Sequence, residues 1–226
     1  MMGKVICCKA IVLLILLTVV TGCSGLDGEE EMALLFETDF EDGSFADWHS
    51  TDPSAWRIES VDGGKVLELY KQSNYEPKVR SPINMNIIRD VVVGSFIMEL
   101  KVRSTTEDYG HRDMCLFFGY QDPVHFYYVH IANQSDPNAN SIFIVDARSR
   151  VSIAQTRTEG TKWDENWHTV RLERDVDEGT IEVYFDDALE PIMTAVNDRF
   201  DWGEVGVGSF DDTGQFDDIK LWGFER

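Results

Sequence analysis

The stretch that decides the fold runs Asp113-Met114-Cys115-Leu116-Phe117-Phe118-Gly119-Tyr120-Gln121-Asp122-Pro123-Val124-His125-Phe126-Tyr127-Tyr128-Val129-His130-Ile131-Ala132. Two runs rich in aromatic and β-branched residues, Asp113–Tyr120 and Val124–Ala132, flank the break Gln121-Asp122-Pro123. That pattern predicts a β-hairpin. A three-residue loop pairs Tyr120 with Val124 and Phe118 with Phe126. Side chains alternate between faces along each strand. One face then carries Met114, Leu116, Phe118, Tyr120, Val124, Phe126, Tyr128 and His130. The other carries Cys115, Phe117, Gly119, His125, Tyr127, Val129 and Ile131. Both faces are largely apolar, which predicts a central place in a sheet. Cys115, Val129 and Ile131 are expected to point into the protein interior. The face with Tyr128 and His130 is expected to floor a groove. A one-residue bulge would exchange the faces.

The same signals recur on either side of the hairpin. Helical periodicity is nearly absent after Cys23, and short apolar runs alternate with Asp, Gly, Asn and Pro. They predict strands over Leu35–Glu41, Trp56–Ser60, Lys65–Tyr70, Lys78–Pro82 and Gly94–Ser104 before the hairpin. After it come Ser141–Asp146, Val151–Thr156, Trp167–Arg174, Thr180–Asp186, Glu190–Thr194, Gly203–Phe210 and Gln215–Trp222. So many short strands imply two stacked antiparallel sheets, an all-β sandwich. No stretch within 35–226 reads as an interdomain linker, so this region is expected to be a single domain.

The N-terminus has a different character. Lys4 and Lys9 flank the start of an apolar run, Ala10 to Val20, too short and wrongly flanked for a stable transmembrane helix. It reads as the core of a signal peptide over residues 1–22. Val20-Thr21-Gly22-Cys23 resembles the lipobox of bacterial lipoproteins, which implies lipidation of Cys23 and anchoring to a membrane. Several acyl chains on one Cys give lasting attachment, where one chain alone is marginal. Ser24, rather than Asp, implies by the same resemblance an outer-membrane location where the cell has one. Residues 23–34 include Gly, Ser and a run of acids, a solvated tether. The domain is therefore expected outside the cytoplasm, at the cell envelope.

Of 226 residues, 41 are Asp or Glu and 20 are Lys or Arg, for a net charge of −21. Loss of a signal peptide carrying two lysines makes the remainder more acidic. Such a surface repels phosphate backbones, so no nucleic-acid partner is expected. Of the four cysteines, two lie in the signal peptide and Cys23 is the lipid acceptor. Only Cys115 remains, so no internal disulfide is expected and the core must hold itself. Cys115 reads as a small core residue, not a nucleophile.

Two terminal segments carry a family resemblance. Thr38-Asp39-Phe40-Glu41-Asp42-Gly43 stands near the start. Gly203-Glu204-Val205-Gly206-Val207-Gly208-Ser209-Phe210 and then Phe216-Asp217-Asp218-Ile219-Lys220-Leu221 stand near the end. Between them, Trp167-His168-Thr169-Val170-Arg171 precedes Ile181-Glu182-Val183-Tyr184-Phe185-Asp186-Asp187. This order resembles concanavalin A-like jelly rolls of the laminin-G and 3-keto-disaccharide-hydrolase type. The resemblance implies pairing of the first and last strands. It also implies a structural calcium held by Asp39, Glu41 and Asp217, a donor set of the hard oxygens that calcium takes. These motifs specify a fold better than an activity.

The chemistry suggested by single residues centres on the hairpin. His125 and His130 are five apart and face opposite sides of a regular strand, so they cannot share one zinc ion. Tyr120, Tyr128, His130 and Arg112 are expected to line the groove, with Gln121 and Arg150 at strand ends as hydrogen-bonders for hydroxyls. The resulting expectation is a surface lipoprotein that binds a glycan or polysaccharide. One alternative is a glycoside hydrolase or polysaccharide lyase with His130 or His125 as base and Tyr128 as acid. A second is a structural envelope or adhesion module, whose groove is absent or filled by its own loops. The chain has no laminarinase-type Glu-x-Asp-x-x-Glu run, no Gly-x-Ser-x-Gly and no His-Glu-x-x-His.

Overall fold

A computed structural model describes residues 31–226. The signal peptide over 1–22, the lipid acceptor Cys23 and the tether up to residue 30 lie outside the described residues. Met32–Arg226 form one compact unit. Its strands are β1 (Ala33–Thr38), β2 (Trp48–Ser50), β3 (Trp56–Val61), β4 (Gly64–Leu69), β5 (Asn84–Ile88), β6 (Val93–Ser104), β7 (Asp113–Asp122) and β8 (His125–Ala132). They continue with β9 (Ser141–Asp146), β10 (Val151–Ser152), β11 (Ala154–Arg157), β12 (His168–Arg174), β13 (Thr180–Phe185), β14 (Met193–Val196), β15 (Glu204–Ser209) and β16 (Gly214–Glu225). One sheet has the order β11-β14-β13-β12-β6-β16-β4-β3, with β1 added to β16. The second has the order β10-β9-β8-β7-β15-β5-β2. All pairings are antiparallel, and the first and last strands pair, Thr38 opposite Ile219. The protein is a two-sheet jelly-roll sandwich, as the sequence predicts.

The interior lies between the sheets. Phe96, Met98, Leu100 and Val102 of β6 and Val170 and Leu172 of β12 meet Leu116, Phe118, Val129 and Ile131 from the facing sheet. β12 alternates buried and half-buried positions with period two, the signature of a strand with one dry face. The seven-stranded sheet differs, since its outer face is also dry. Met85, Ile87, Cys115, Phe117, Phe126, Tyr128, Phe143 and Val145 form a second apolar cluster there, covered in part by Tyr75 and Val79.

The covering segment corrects one prediction. Lys78–Pro82 is not a strand. Pro77 and Pro82 bracket it and cannot donate to a ladder, and Val79 packs onto the sheet face instead. The strand comes later, at β5, whose Asn84 and Asn86 disguise it. Both are buried and hydrogen-bonded, Asn84 Nδ2 to Ser209 Oγ (2.9 Å) and Asn86 Oδ1 to Ser50 Oγ (2.8 Å). The predicted strand Val151–Thr156 is likewise divided. β10 joins one sheet and β11 the other, so the chain turns a sandwich corner at Ile153.

The hairpin register also departs from expectation. Phe118 pairs with Tyr127, Leu116 with Val129 and Cys115 with His130, and the register shifts between Phe118 and Asp122. Gly119, in a left-handed conformation at φ +55°, makes the bulge. β8 faces as predicted, with Tyr127, Val129 and Ile131 inward. β7 is reversed: Met114, Leu116 and Phe118 point inward, and Cys115 and Phe117 outward. Between the Phe118–Tyr127 and Asp122–His125 pairs β7 advances four residues against two on β8, and Tyr120 lies on the outer face beside Phe126, ring centroids 5.7 Å apart. Gly119→Ala places a Cβ 3.2 Å from the Tyr127 ring in a left-handed conformation, costing roughly 1–2 kcal/mol for the backbone alone. Urea unfolding should show that loss, and a variant as stable as the native chain would refute the bulge.

Candidate functional site

The polar opening on this sheet lies where the apolar cover ends. A recess of about 150 Å³ has Asp113, His130 and Phe210 at its base and Arg150 along one wall. Arg80, Tyr109, His111, Asn138 and Asp211 form its rim. The base follows from the register: Cys115 sits opposite His130, and Asp113 lies two residues before Cys115 on the same face. Asp211 follows β15, so the turn between β15 and β16 brings acids over the end of β7.

Hydrogen bonds fix the walls. Arg150 donates from Nη1 to the Tyr128 hydroxyl (2.7 Å) and from Nη2 to the Asn138 carbonyl (2.8 Å). Its guanidinium lies over Phe210 (4.1 Å) and Phe143 (4.7 Å). The Arg150 backbone N–H donates to Arg80 O (3.0 Å), which ties the covering segment to the recess. Asp113 Oδ2 accepts from Phe210 N (2.9 Å) and from the Cys115 thiol (3.2 Å). Asp212 accepts from Asp113 N (2.7 Å) and from the Tyr109 hydroxyl (3.0 Å). His130 Nδ1 contacts Asn138 O at 3.1 Å. Its Nε2 lies 3.2 Å from Asp113 Oδ2 but off the line of a hydrogen bond, and has no partner.

Burial and clustered charge shape the acidity here. Burial pushes the Asp113 carboxyl up, but the adjacent His130 ring and the Phe210 N–H outweigh it and leave it lowered. Burial and the Asp113 charge push Asp212 up to about 7 and raise Asp211 as well. Burial and the same carboxylate hold the Cys115 thiol well above its ordinary value. Among the described residues, no Lys or Arg lies within ion-pair distance of Asp113, Asp211 or Asp212.

Of the residues singled out in the sequence, His130 and Arg150 meet in the recess. Tyr128 does not reach it: the ring is 0% exposed, stacked on Phe143 and sealed beneath Arg150. Burial raises its hydroxyl well above the ordinary range, so it stays protonated. Tyr120 packs between Phe126 and His49, away from the recess. Arg112 turns to the opposite loops, donating to Ser104 Oγ, Ser104 O and Asp164 O. Gln121 donates to Trp202 O. His125 sits at the hairpin tip against Asp122 (2.8 Å) and Phe200, at the far end of β8 from His130. The expected groove along the sheet is therefore filled by the protein's own segment, and only its end remains open.

Of the acids expected to hold calcium, Asp39 lies near enough to Asp217 to raise its carboxyl. Glu41 Oε1 accepts from Lys65 N (2.7 Å) and Asp39 Oδ1 from Glu41 N (3.2 Å). Asp217 Oδ1 accepts from Asp218 N (2.8 Å). Side-chain groups whose ligand atoms all lie within 4.8 Å of one another occur at Asp113–Cys115–His130 and Asp113–Asp211–Asp212. Sequence reasoning missed Asp113, Asp211, Tyr109, His111 and Arg80. Its only pointer was His111-Arg112-Asp113 at the start of β7, and a correct register would have placed Asp113 beside His130.

No protein-family profile matches the chain, and no curated protein matches it in sequence. Solved structures do match in fold. The carbohydrate binding module CBM66 from Bacillus subtilis aligns with a TM-score of 0.54 at 15% identity, over 78% of this chain and 95% of that one. Winged bean acidic lectin, solved with methyl-α-D-galactose, aligns at 0.56 and 15% identity, over 83% and 96%. The GH43 protein BlXynB from Bacillus licheniformis aligns at 0.60 and 10% identity, over 83% of this chain but 39% of that one. The fold is thus that of the concanavalin A-like jelly rolls.

Asp217 gives a pH test separate from the recess. Burial pushes its carboxyl up to about 6 from an ordinary 3.8, outweighing the hydrogen bond from the Asp218 N–H. The unfolded chain ionises first, so this group's stabilising contribution is present below 3.8 and is lost as pH rises through about 6. Asp217→Asn removes that loss. Its melting temperature should gain on the native chain across this window, and a constant difference would refute the shift.

Proposed function

We propose that the domain is a glycan-binding module and that the recess above His130 takes the end of a carbohydrate. The observation that supports this most is the recess itself. On a sheet face otherwise sealed, Arg80, His111, Asn138 and Asp211 present donors and acceptors around a shallow polar opening. A volume of about 150 Å³ is well below the roughly 300–1,000 Å³ of ordinary small-molecule sites. Such an opening suits a terminal sugar unit better than a long polysaccharide segment. Fold likeness to a carbohydrate binding module and a lectin agrees with the reading without identifying the sugar. The net charge of −21 favours neutral glycans over strongly anionic ones.

Isothermal titration against panels of neutral and uronate oligosaccharides tests the proposal. Arg80→Ala and Asp211→Ala change exposed rim residues. Each should weaken binding about tenfold, equal to about 1.4 kcal/mol, and leave the melting temperature unchanged. No heat from any saccharide at millimolar concentration would end this reading.

The envelope location belongs to the same proposal. Cys23 anchors the module through lipid, and the acidic tether holds it clear of the membrane. Cys23→Ser should move the protein from the detergent phase to the aqueous phase on partition and abolish incorporation of a labelled fatty acid. Unchanged partition would remove the anchor.

A further inference from the structure

We infer that Asp113, Cys115 and His130 form a zinc site at the base of the recess, with a fourth coordination position left open to an oxygen ligand. The inference does not rest on sugar binding. It begins with register: Cys115 is paired directly with His130, and Asp113 is next along the same face of β7. All three side chains are buried, and their ligand atoms lie within 4.8 Å of one another.

His130 makes this more than a cluster. The Asn138 carbonyl can only accept, so Nδ1, 3.1 Å away, carries a proton and leaves Nε2 to face the acid. His130 Nε2 is buried, has no hydrogen-bond partner, and lies 3.2 Å from Asp113 Oδ2. Asp113 Oδ1 is also buried without a partner. Buried polar atoms without partners are costly, and a cation held among them removes that cost. The Sγ of Cys115 is 3.2 Å from the same Oδ2. Around a tetrahedral zinc with bonds of about 2.0–2.3 Å, neighbouring ligand atoms stand about 3.3–3.6 Å apart, so these spacings need only small adjustments.

The donor set selects the ion. One thiolate, one imidazole and one carboxylate suit zinc and are poorly matched to calcium or magnesium. Three protein ligands with an open fourth position is the pattern of accessible zinc sites. Asp113 and His130 line the recess while Cys115 does not, so the open position faces the recess and takes water or a hydroxyl oxygen. As the metal binds, the Cys115 thiol proton and any proton on His130 Nε2 leave to solvent. The Asn138 carbonyl orients the imidazole from behind.

The test uses the full chain and two metals, Zn²⁺ and Co²⁺ as its spectroscopic stand-in. One equivalent of Co²⁺ should give a thiolate-to-cobalt charge-transfer band and the intense visible bands of a four-coordinate ion. Cys115→Ser and His130→Gln should each lose those bands and weaken Zn²⁺ binding by roughly a hundredfold or more. Near-ultraviolet circular dichroism without metal establishes that each variant is folded. X-ray absorption of the zinc-loaded native chain, which needs no variant, should show one sulfur with nitrogen and oxygen neighbours. Absence of the cobalt bands in the native chain would overturn the site in favour of a protonated His130–Asp113 ion pair. Bands that persist in Cys115→Ser would place the metal on another cysteine and overturn it equally. Glycan titrations repeated with a chelator keep the two proposals separate, since either can fail while the other stands.

Discussion

A left-handed residue at Gly119 sets the pairing of β7 with β8, and that pairing decides which side chains share a face. The side-chain period of a strand is two, so a shift of one residue moves a whole strand's side chains to the other side. With the bulge in place, Met114, Leu116 and Phe118 join the interior while Asp113, Cys115 and His130 come together outside it. Cys115 then lies directly opposite His130, and the recess has its base there. Glycine holds this conformation without the penalty other residues meet, and the nearby Tyr127 ring leaves little room for a side chain.

The second constraint is dryness on both faces of one sheet. Phe117, Phe126, Tyr128 and Phe143 form an outer apolar layer that water cannot be left to cover. The segment between β4 and β5 covers part of it through Tyr75 and Val79. Arg150 completes the cover by stacking its guanidinium on Phe143 and Phe210 and spending its N–H groups on Tyr128 and Asn138. The polar recess is what remains beyond that cover. Its position at one end of the sheet follows from where the covering chain is tied down, at Arg80 and Arg150.

Electrostatics give the recess its character. The chain as a whole carries a large excess of acid, most of it solvated and of little consequence for the fold. Asp113, Asp211 and Asp212 differ because they are crowded together, and two of them are buried. Backbone N–H groups and the Tyr109 hydroxyl satisfy part of their demand. Asp113 Oδ1 and His130 Nε2 are left without partners. Buried polar atoms in that state are uncommon in native proteins and call for a specific cause.

Local patterning made the architecture legible. Aromatic and β-branched runs punctuated by Asp, Gly and Pro specify an all-β sandwich, because strand periodicity and turn chemistry are properties of neighbouring residues. The N-terminal Lys–apolar–Gly22-Cys23 arrangement is likewise local and points to export and lipidation without reference to the fold. β5 escaped because Asn84 and Asn86 look solvated until Ser209 and Ser50 arrive from elsewhere to bond them. The candidate site was legible only in part: His130 and Arg150 stood out by type, while Tyr128, Tyr120 and Arg112 were drawn to it by a face assignment that the bulge reverses for β7. Asp211 and Tyr109 gave no signal and Asp113 only a weak one, since their meeting depends on register and on a turn nearly 100 residues away. Contacts of that kind are fixed by how strands stack and by what seals a dry face, and only the folded chain decides them.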